Sequence, residues 1–171
     1  GGKIFFVESL DTFVKNLKDC QPTIFFGVPR IYTKFMTKIL SIFPQKLINF
    51  LMSTPILSRI FSSLIKKSLG LSKSRICITG AASIPKSTLK WFDRFKIKIY
   101  EAYGMSENSA CSHGNYPGNI KFGTVGKAMP DTDIKITDKG EVIMKNDCIM
   151  KGYYKEEELT KQTIKKGYLH T

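Results

Sequence analysis

"YEAYGMSENSA", Tyr100 to Ala110, follows directly on the alternating run "KIKI" (Lys96–Ile99). Alternation of apolar and basic residues is the pattern of a strand with one buried face, so "KIKIYEAYG" reads as a strand ending near Tyr103. Immediately beyond it, Tyr103-Gly104 and Ser106-Glu107 bring together a flat ring, a bare backbone, a hydroxyl and a carboxylate. An ordinary turn can carry the same residues, so neighbouring segments have to decide the reading.

Working back toward the N-terminus, "SRICITGAASIPKSTLKWF" predicts another strand, Ile76–Thr79, then a small-residue turn and a helix with Pro85 in its first turn. "PTIFFGVPR" is an apolar run closed by Gly27 and Pro29, as for a strand at a sheet edge. Ile4–Val7 reads as a short buried strand, followed from Leu10 by apolar residues at helical spacing, with Ser9 placed to cap them. Strand, helix and strand in this order imply a parallel unit with a crossover helix.

From Ile31 to Leu69 the pattern is helical, with breaks near Pro44 and Pro55. Its last part is amphipathic, with Ile56, Leu57, Ile60, Phe61, Leu64 and Ile65 set against a basic polar face, and Gly70 stops it. This fits a surface helix packed on a sheet or one lying on a membrane surface. Leu47–Ile65 carries too many polar residues, Arg59 among them, to span a bilayer. After Gly114 the chain turns to short alternating strands, with a hairpin turn at Asp138-Lys139-Gly140, and a helix follows from about Glu156 to Ile164. The expected architecture is α/β. A layered parallel-sheet subdomain with flanking helices (residues 1–113) precedes a smaller β-rich subdomain (residues 114–171).

The 171 residues carry 27 Lys+Arg against 14 Asp+Glu, a formal net charge of +13. That excess favours anionic partners such as nucleotides, CoA or an acidic membrane face, and it also suits a lysine-solvated surface. The basic residues are scattered, with no aromatic-interleaved strand pattern, so nucleic acid is not an expected partner. Cys20, Cys77, Cys111 and Cys148 form no CxxC pair, which predicts reduced thiols in a cytoplasmic protein. Cys111 and His113 lack the second pair that a structural zinc site needs. "GGKIFFVESL" has neither signal-peptide nor transit-peptide character, and it begins as though in mid-fold.

In a parallel α/β sheet, ligands gather beyond the carboxyl ends of the strands, where both "TGAAS" (Thr79–Ser83) and "AYGMSE" (Ala102–Glu107) are expected. Gly80, Ala81 and Ala82 would let a flat base approach the backbone, and Tyr103 could cover the base's other face. Gly104 would supply a positive φ for the turn. Ser106 offers a hydroxyl to a phosphate oxygen, and Glu107 a hard oxygen ligand for magnesium. Singly, small residues after a strand serve packing and Ser-Glu starts helices. On successive strand ends they point to a nucleotide.

"YGMSE" resembles the Tyr-Gly-x-Thr/Ser-Glu motif of adenylate-forming enzymes, a superfamily that includes acyl-CoA synthetases. "PTIFFGVPRIYTK" resembles a segment of long-chain acyl-CoA synthetases, and "TGAASIP" their adenine-binding turn. "GTVGKAMP", "GEVIMKND", "MKGYYKEEELT" and "KGYLHT" are similar to later blocks, in the same order. The resemblance implies ATP, Mg2+ and CoA as cosubstrates and cofactor. It implies that a fatty acid, long-chain on the likeness of "GVPRIYTK", is converted to acyl-AMP and then to acyl-CoA. A ligase for a short or aromatic acid, and a catalytically silent nucleotide-binding module, are the alternatives. Carried over, Gly80, Ala81 and Ala82 line adenine and Tyr103 stacks on it, and Ala102, which stands where many relatives have glycine, belongs to the same cofactor-binding stretch. Gly104, Met105 and Ser106 meet the phosphate and acyl carbonyl, and Glu107 binds the metal. Ser106, in place of the commoner threonine, and Glu107 are the expected catalytic residues. Val28-Pro29-Arg30 and Gly123–Gly126 are expected near the acyl tunnel. The family's Ser/Thr/Gly-rich phosphate loop, the Gly-Asp that follows "HT" and the C-terminal lysine do not occur in these residues. The expectation is therefore a central piece of a larger enzyme, inactive alone, cytoplasmic and peripheral to a membrane.

Overall fold

The structure is a computed structural model, which describes residues 2–9 and 11–171. It divides into two compact units, one ending at Tyr100 and one running Glu101–Thr171.

In the first unit, Ile4–Val7 forms no strand. The segment is irregular, with Ile4 82% and Phe6 89% exposed, so the expectation of a buried strand there is wrong. Apolar content alone does not make a strand when no neighbour pairs with it. Helix α1 (Phe13–Cys20) starts later than the spacing predicts, and Leu10 lies outside the described residues. Ser9 does not cap it: the N-cap is Thr12, and the Ser9 Oγ instead accepts the Thr12 N–H at 3.2 Å, ahead of the helix.

The parallel unit is instead built from β1 (Ile24–Phe26) and β2 (Ile76–Thr79), paired Ile24 to Ile76 through Phe26 to Ile78. Three helices cross between them: α2 (Pro29–Ile42), α3 (Gln45–Leu51) and α4 (Pro55–Ser68). Pro44 and Pro55 mark the breaks, as expected from the missing N–H and fixed φ. Gly70 ends α4 at φ +71, its N–H bonding Lys67 O at 3.1 Å while Leu71 N–H reaches back to Lys66 O at 2.8 Å.

The predicted apolar face of α4 divides. Phe61 and Ile65 are buried, whereas Ile56, Ile60 and Leu64 are 74%, 63% and 50% exposed. Helix α5 (Lys86–Asp93) takes Pro85 as its N-cap rather than within its first turn, and it buries Leu89, Trp91 and Phe92. Tyr32, Phe92 and Phe95 are completely buried, with Tyr32 and Phe92 edge-to-face at 5.8 Å. Tyr32 Oη donates to Ile78 O at 3.0 Å, which ties α2 to β2. Burial pushes the Tyr32 hydroxyl well above its ordinary pKa, so it remains a donor.

Strand β3 (Ile99–Tyr103) carries the chain into the second unit. There its end pairs antiparallel with β4 (His113–Gly114), and β4 with β5 (Lys127–Ala128). A separate antiparallel sheet holds β6 (Asp133–Ile136), β7 (Val142–Lys145), β8 (Ile164–Lys165) and β9 (Tyr168–His170), with α6 (Glu157–Thr163) before β8. The expected turn joins β6 to β7, where Gly140 adopts φ +82 and its N–H bonds Thr137 O at 2.8 Å. Met144 and Leu169, paired across β7 and β9, are its fully buried residues. The fold is thus α/β, with a parallel-containing sheet and a smaller antiparallel one. Among the described residues no helix is long and apolar enough to cross a membrane.

Candidate functional site

The second unit organises the Tyr103–Glu107 stretch around the end of β3. Ala102 pairs with Gly114 and Tyr103 with His113, and the Tyr103 and His113 rings lie 5.9 Å apart at 52°. Burial holds the His113 imidazole below its ordinary pKa of 6.5, favouring a neutral ring beside the tyrosine.

Gly104 is not in the left-handed region, so the expected reason for a glycine there is wrong. The actual reason is space: a Cβ on Gly104 would sit 2.5 Å from Ala110 Cα. Two consecutive left-handed residues, Ser109 (φ 53) and Ala110 (φ 58), bring that backbone back onto Gly104. Met105 enters the turn extended, and the next three residues, Ser106–Asn108, make one turn of 3₁₀ helix. Asn108, fully buried, closes the loop. Its Oδ1 accepts the Met105 N–H at 3.0 Å, and its Nδ2 donates to Met144 Sδ at 2.6 Å.

Ser106 is exposed, and its hydroxyl makes no hydrogen bond among the described residues. Glu107 is half-buried and held at two points: its carbonyl accepts the Met150 N–H at 2.7 Å, and its Oε1 accepts from Tyr153 Oη at 2.8 Å. Donation to this carboxylate raises the Tyr153 pKa. Oε2 has no hydrogen-bond partner among the described residues. One immobilised carboxylate with a free oxygen suits a magnesium ion whose other ligands are phosphate oxygens and water. No group of three or more His, Cys, Asp or Glu side chains that could hold a metal occurs among the described residues.

Gly123–Gly126 packs near the same strand. Gly123 N–H donates to Oε2 of buried Glu101 at 3.3 Å, and Asn115 Nδ2 donates to the Thr124 carbonyl at 2.7 Å. Gly126, at φ +87, would place a Cβ 2.1 Å from Gly114 O.

Gly80, Ala81 and Ala82 belong to the first unit. Gly80 is buried at the end of β2, Ala81 and Ala82 are exposed, and Ala81 takes φ +67, an unusual conformation for a residue with a Cβ. Just before them, Thr79 is completely buried, and its Oγ1 has no hydrogen-bond partner among the described residues. Such a group is costly to bury without a partner. Gly27, next to Val28-Pro29-Arg30, bonds its N–H to Ile78 O at 3.0 Å, which holds that segment to β2.

Sequence reasoning missed Thr79, Asn108, His113 and Tyr153 as contributors. Asn108 and Thr79 lie within the quoted stretches, but their roles depend on burial. Tyr153 is 46 positions from Glu107, and nothing in the spacing signals that contact.

The AMP-binding enzyme family model matches residues 1–154. The chain is 30% identical, over its whole length, to the long-chain-fatty-acid–CoA ligase ACSBG2 of Gallus gallus, covering 27% of that protein. The figures are 30% and 29% for long-chain-fatty-acid–CoA ligase 5 of Rattus norvegicus, matched again over the whole chain. The chain therefore spans under a third of the length of these relatives. Among solved structures, the anthranilate CoA ligase AuaEII in complex with anthranoyl-AMP superposes with TM-score 0.69 at 20% identity, over 94% of this chain and 28% of that one. A benzoate CoA ligase from Burkholderia xenovorans LB400 gives 0.68 at 19%, over 94% and 30%. With a family match over residues 1–154, which takes in β2, β3 and the Glu107 turn, the chain belongs to the AMP-binding enzyme family.

Proposed function

We propose that this chain is a central part of an AMP-forming acyl–CoA ligase that acts on a long-chain fatty acid. The observation that carries the reading is the Glu107 turn, a carboxylate pinned by Tyr153 with one oxygen left open, one residue beyond the exposed Ser106 hydroxyl. The long-chain assignment is supported by the names of the relatives at 30% identity. The anthranilate and benzoate ligases, with nearly the same superposition scores, favour an aromatic acid as the second reading.

In this reading a substrate carboxylate attacks the α-phosphorus of ATP and pyrophosphate leaves. The CoA thiol then attacks the acyl carbonyl and AMP leaves. Both steps are displacements at bound groups, so positioning and charge stabilisation are the protein's task. The turn Gly80-Ala81-Ala82, with Ala81 and Ala82 exposed, is the part that takes adenine. Ala102 lines the base and Tyr103, braced by His113, stacks on it. The backbone of Gly104 and Met105 and the Ser106 hydroxyl bond phosphate and acyl oxygens. Glu107 would hold Mg2+, which neutralises phosphate charge when bound. The chain alone is expected to be inactive.

The setting we infer is cytoplasmic with peripheral membrane contact through α4, whose exposed Ile56, Ile60 and Leu64 accompany Arg59 and Lys67. Co-sedimentation of the full-length protein with anionic vesicles at low salt tests the contact, and protein left wholly in the supernatant would count against it.

The decisive experiment is ATP–pyrophosphate exchange by the full-length protein across short, medium, long and aromatic acids, with Glu107→Gln in parallel. The expected outcome is exchange that requires a long acid and falls by about a hundredfold in the variant. Exchange with aromatic acids only would select the second reading. No exchange with any acid by folded protein would leave a nucleotide-binding module.

A further inference from the structure

Four cysteines are free, and two of them, Cys111 and Cys148, are neighbours in space. They are held together by shared partners. The Asn146 carboxamide bridges their backbones, its Nδ2 donating to the Cys111 carbonyl at 2.7 Å and its Oδ1 accepting the Cys148 N–H at 3.0 Å. Ser109 bridges them again. Its Oγ donates to the Cys148 carbonyl at 3.2 Å, and its own carbonyl accepts from the Cys111 thiol at 3.4 Å. Two residues 37 positions apart are thus fixed on both sides by the same two clamps, Asn146 and Ser109. Cys148 is exposed and Cys111 half-buried, so small oxidants can reach the pair. Cys77, by contrast, is buried.

We propose that Cys111 and Cys148 form a reversible disulfide when the protein meets a hydroperoxide. One thiolate attacks a peroxide oxygen. The O–O bond breaks, an alcohol or water leaves, and the sulfur becomes a sulfenic acid. The other thiolate attacks that sulfur, the S–S bond forms and hydroxide departs to be protonated to water. Two thiols are oxidised by two electrons, and one peroxide is reduced. A resolving thiol held close by the Asn146 and Ser109 clamps makes the second step faster than overoxidation of the first sulfur. The bond would join the loop after Ser106–Asn108 to the segment before Met150, the same two stretches that meet at Glu107.

The test uses reduced full-length protein treated with tert-butyl hydroperoxide, then alkylated, digested without reductant and mapped by mass. The expected result is a cross-linked pair of peptides bearing Cys111 and Cys148, lighter by two hydrogens than the free pair. It is lost on dithiothreitol and absent in Cys111→Ser and Cys148→Ala. Cys148 that stays alkylatable, that reaches the sulfinic state with Cys111 free, or that links to any other cysteine would each overturn the proposal. Because the wild-type map needs no variant and no turnover, a failure here is distinct from a failure of the ligase reading.

Discussion

Tyr153 Oη lies 2.8 Å from Oε1 of Glu107, a bond between the end of one strand's turn and a segment 46 positions further on. The tyrosine holds one oxygen of the carboxylate and leaves the other without a hydrogen-bond partner among the described residues. If Glu107 holds Mg2+ as proposed, Tyr153 is an outer partner of that ligand, and loss of such a partner typically weakens a metal site by about 10–100-fold. Tyr153→Phe keeps the ring and removes the hydroxyl. In pyrophosphate exchange by the full-length protein, the magnesium concentration for half-maximal rate is expected to rise by about tenfold, with less change in the acid's KM. An unchanged magnesium dependence would show that the tyrosine only supports the fold.

Gly104 and Ala81 make opposite backbone tests. Gly104→Ala forces a Cβ to 2.5 Å from the Ala110 backbone, which cannot move as a flexible side chain would. Overpacking of this kind is expected to destabilise the chain by about 1–3 kcal/mol in denaturant titration. Ala81, exposed and at φ +67, pays no packing when its methyl is removed. Ala81→Gly is expected to be neutral or to stabilise by up to about 1 kcal/mol. If both substitutions move stability the same way, the backbone argument fails at one of them.

His113 gives the pH dependence. Its pKa is held below 6.5 by burial, so the unfolded chain binds the proton more readily than the fold. The contribution of the neutral ring is therefore fully present above the unfolded value and lost as pH falls through the folded one. Unfolding midpoints of the wild type and His113→Asn, followed from about pH 7.5 to about pH 5, should converge as the pH drops. A constant gap over that range would mean that the ring's environment does not distinguish its two forms.

Strands and helices with strong punctuation were legible in the sequence. Ile76–Thr79, the Pro44 and Pro55 breaks, the Gly70 stop and the Gly140 turn follow from periodicity and backbone chemistry. Ile4–Val7 was not, because an apolar run says nothing about whether a partner strand is there to pair with it. The Glu107 stretch was legible as a group of residue types. Its mechanics were not: the need for glycine at 104 comes from Ala110 folding back, and the Tyr153 contact comes from tertiary structure alone.

The three helices between β1 and β2 also have a kinetic meaning. The Tyr32–Ile78 bond closes across 46 positions, and the β1–β2 ladder lies behind the same excursion. Closing so long a loop costs chain entropy before any contact repays it, whereas α2, α3 and α4 can form from local interactions. The order of assembly is thus written into the topology. The parallel pair, and with it the turn from Thr79 to Ala82, is expected to be among the last parts of the first unit to form, a sequence that φ-value measurements on Phe25 and Ile78 would test.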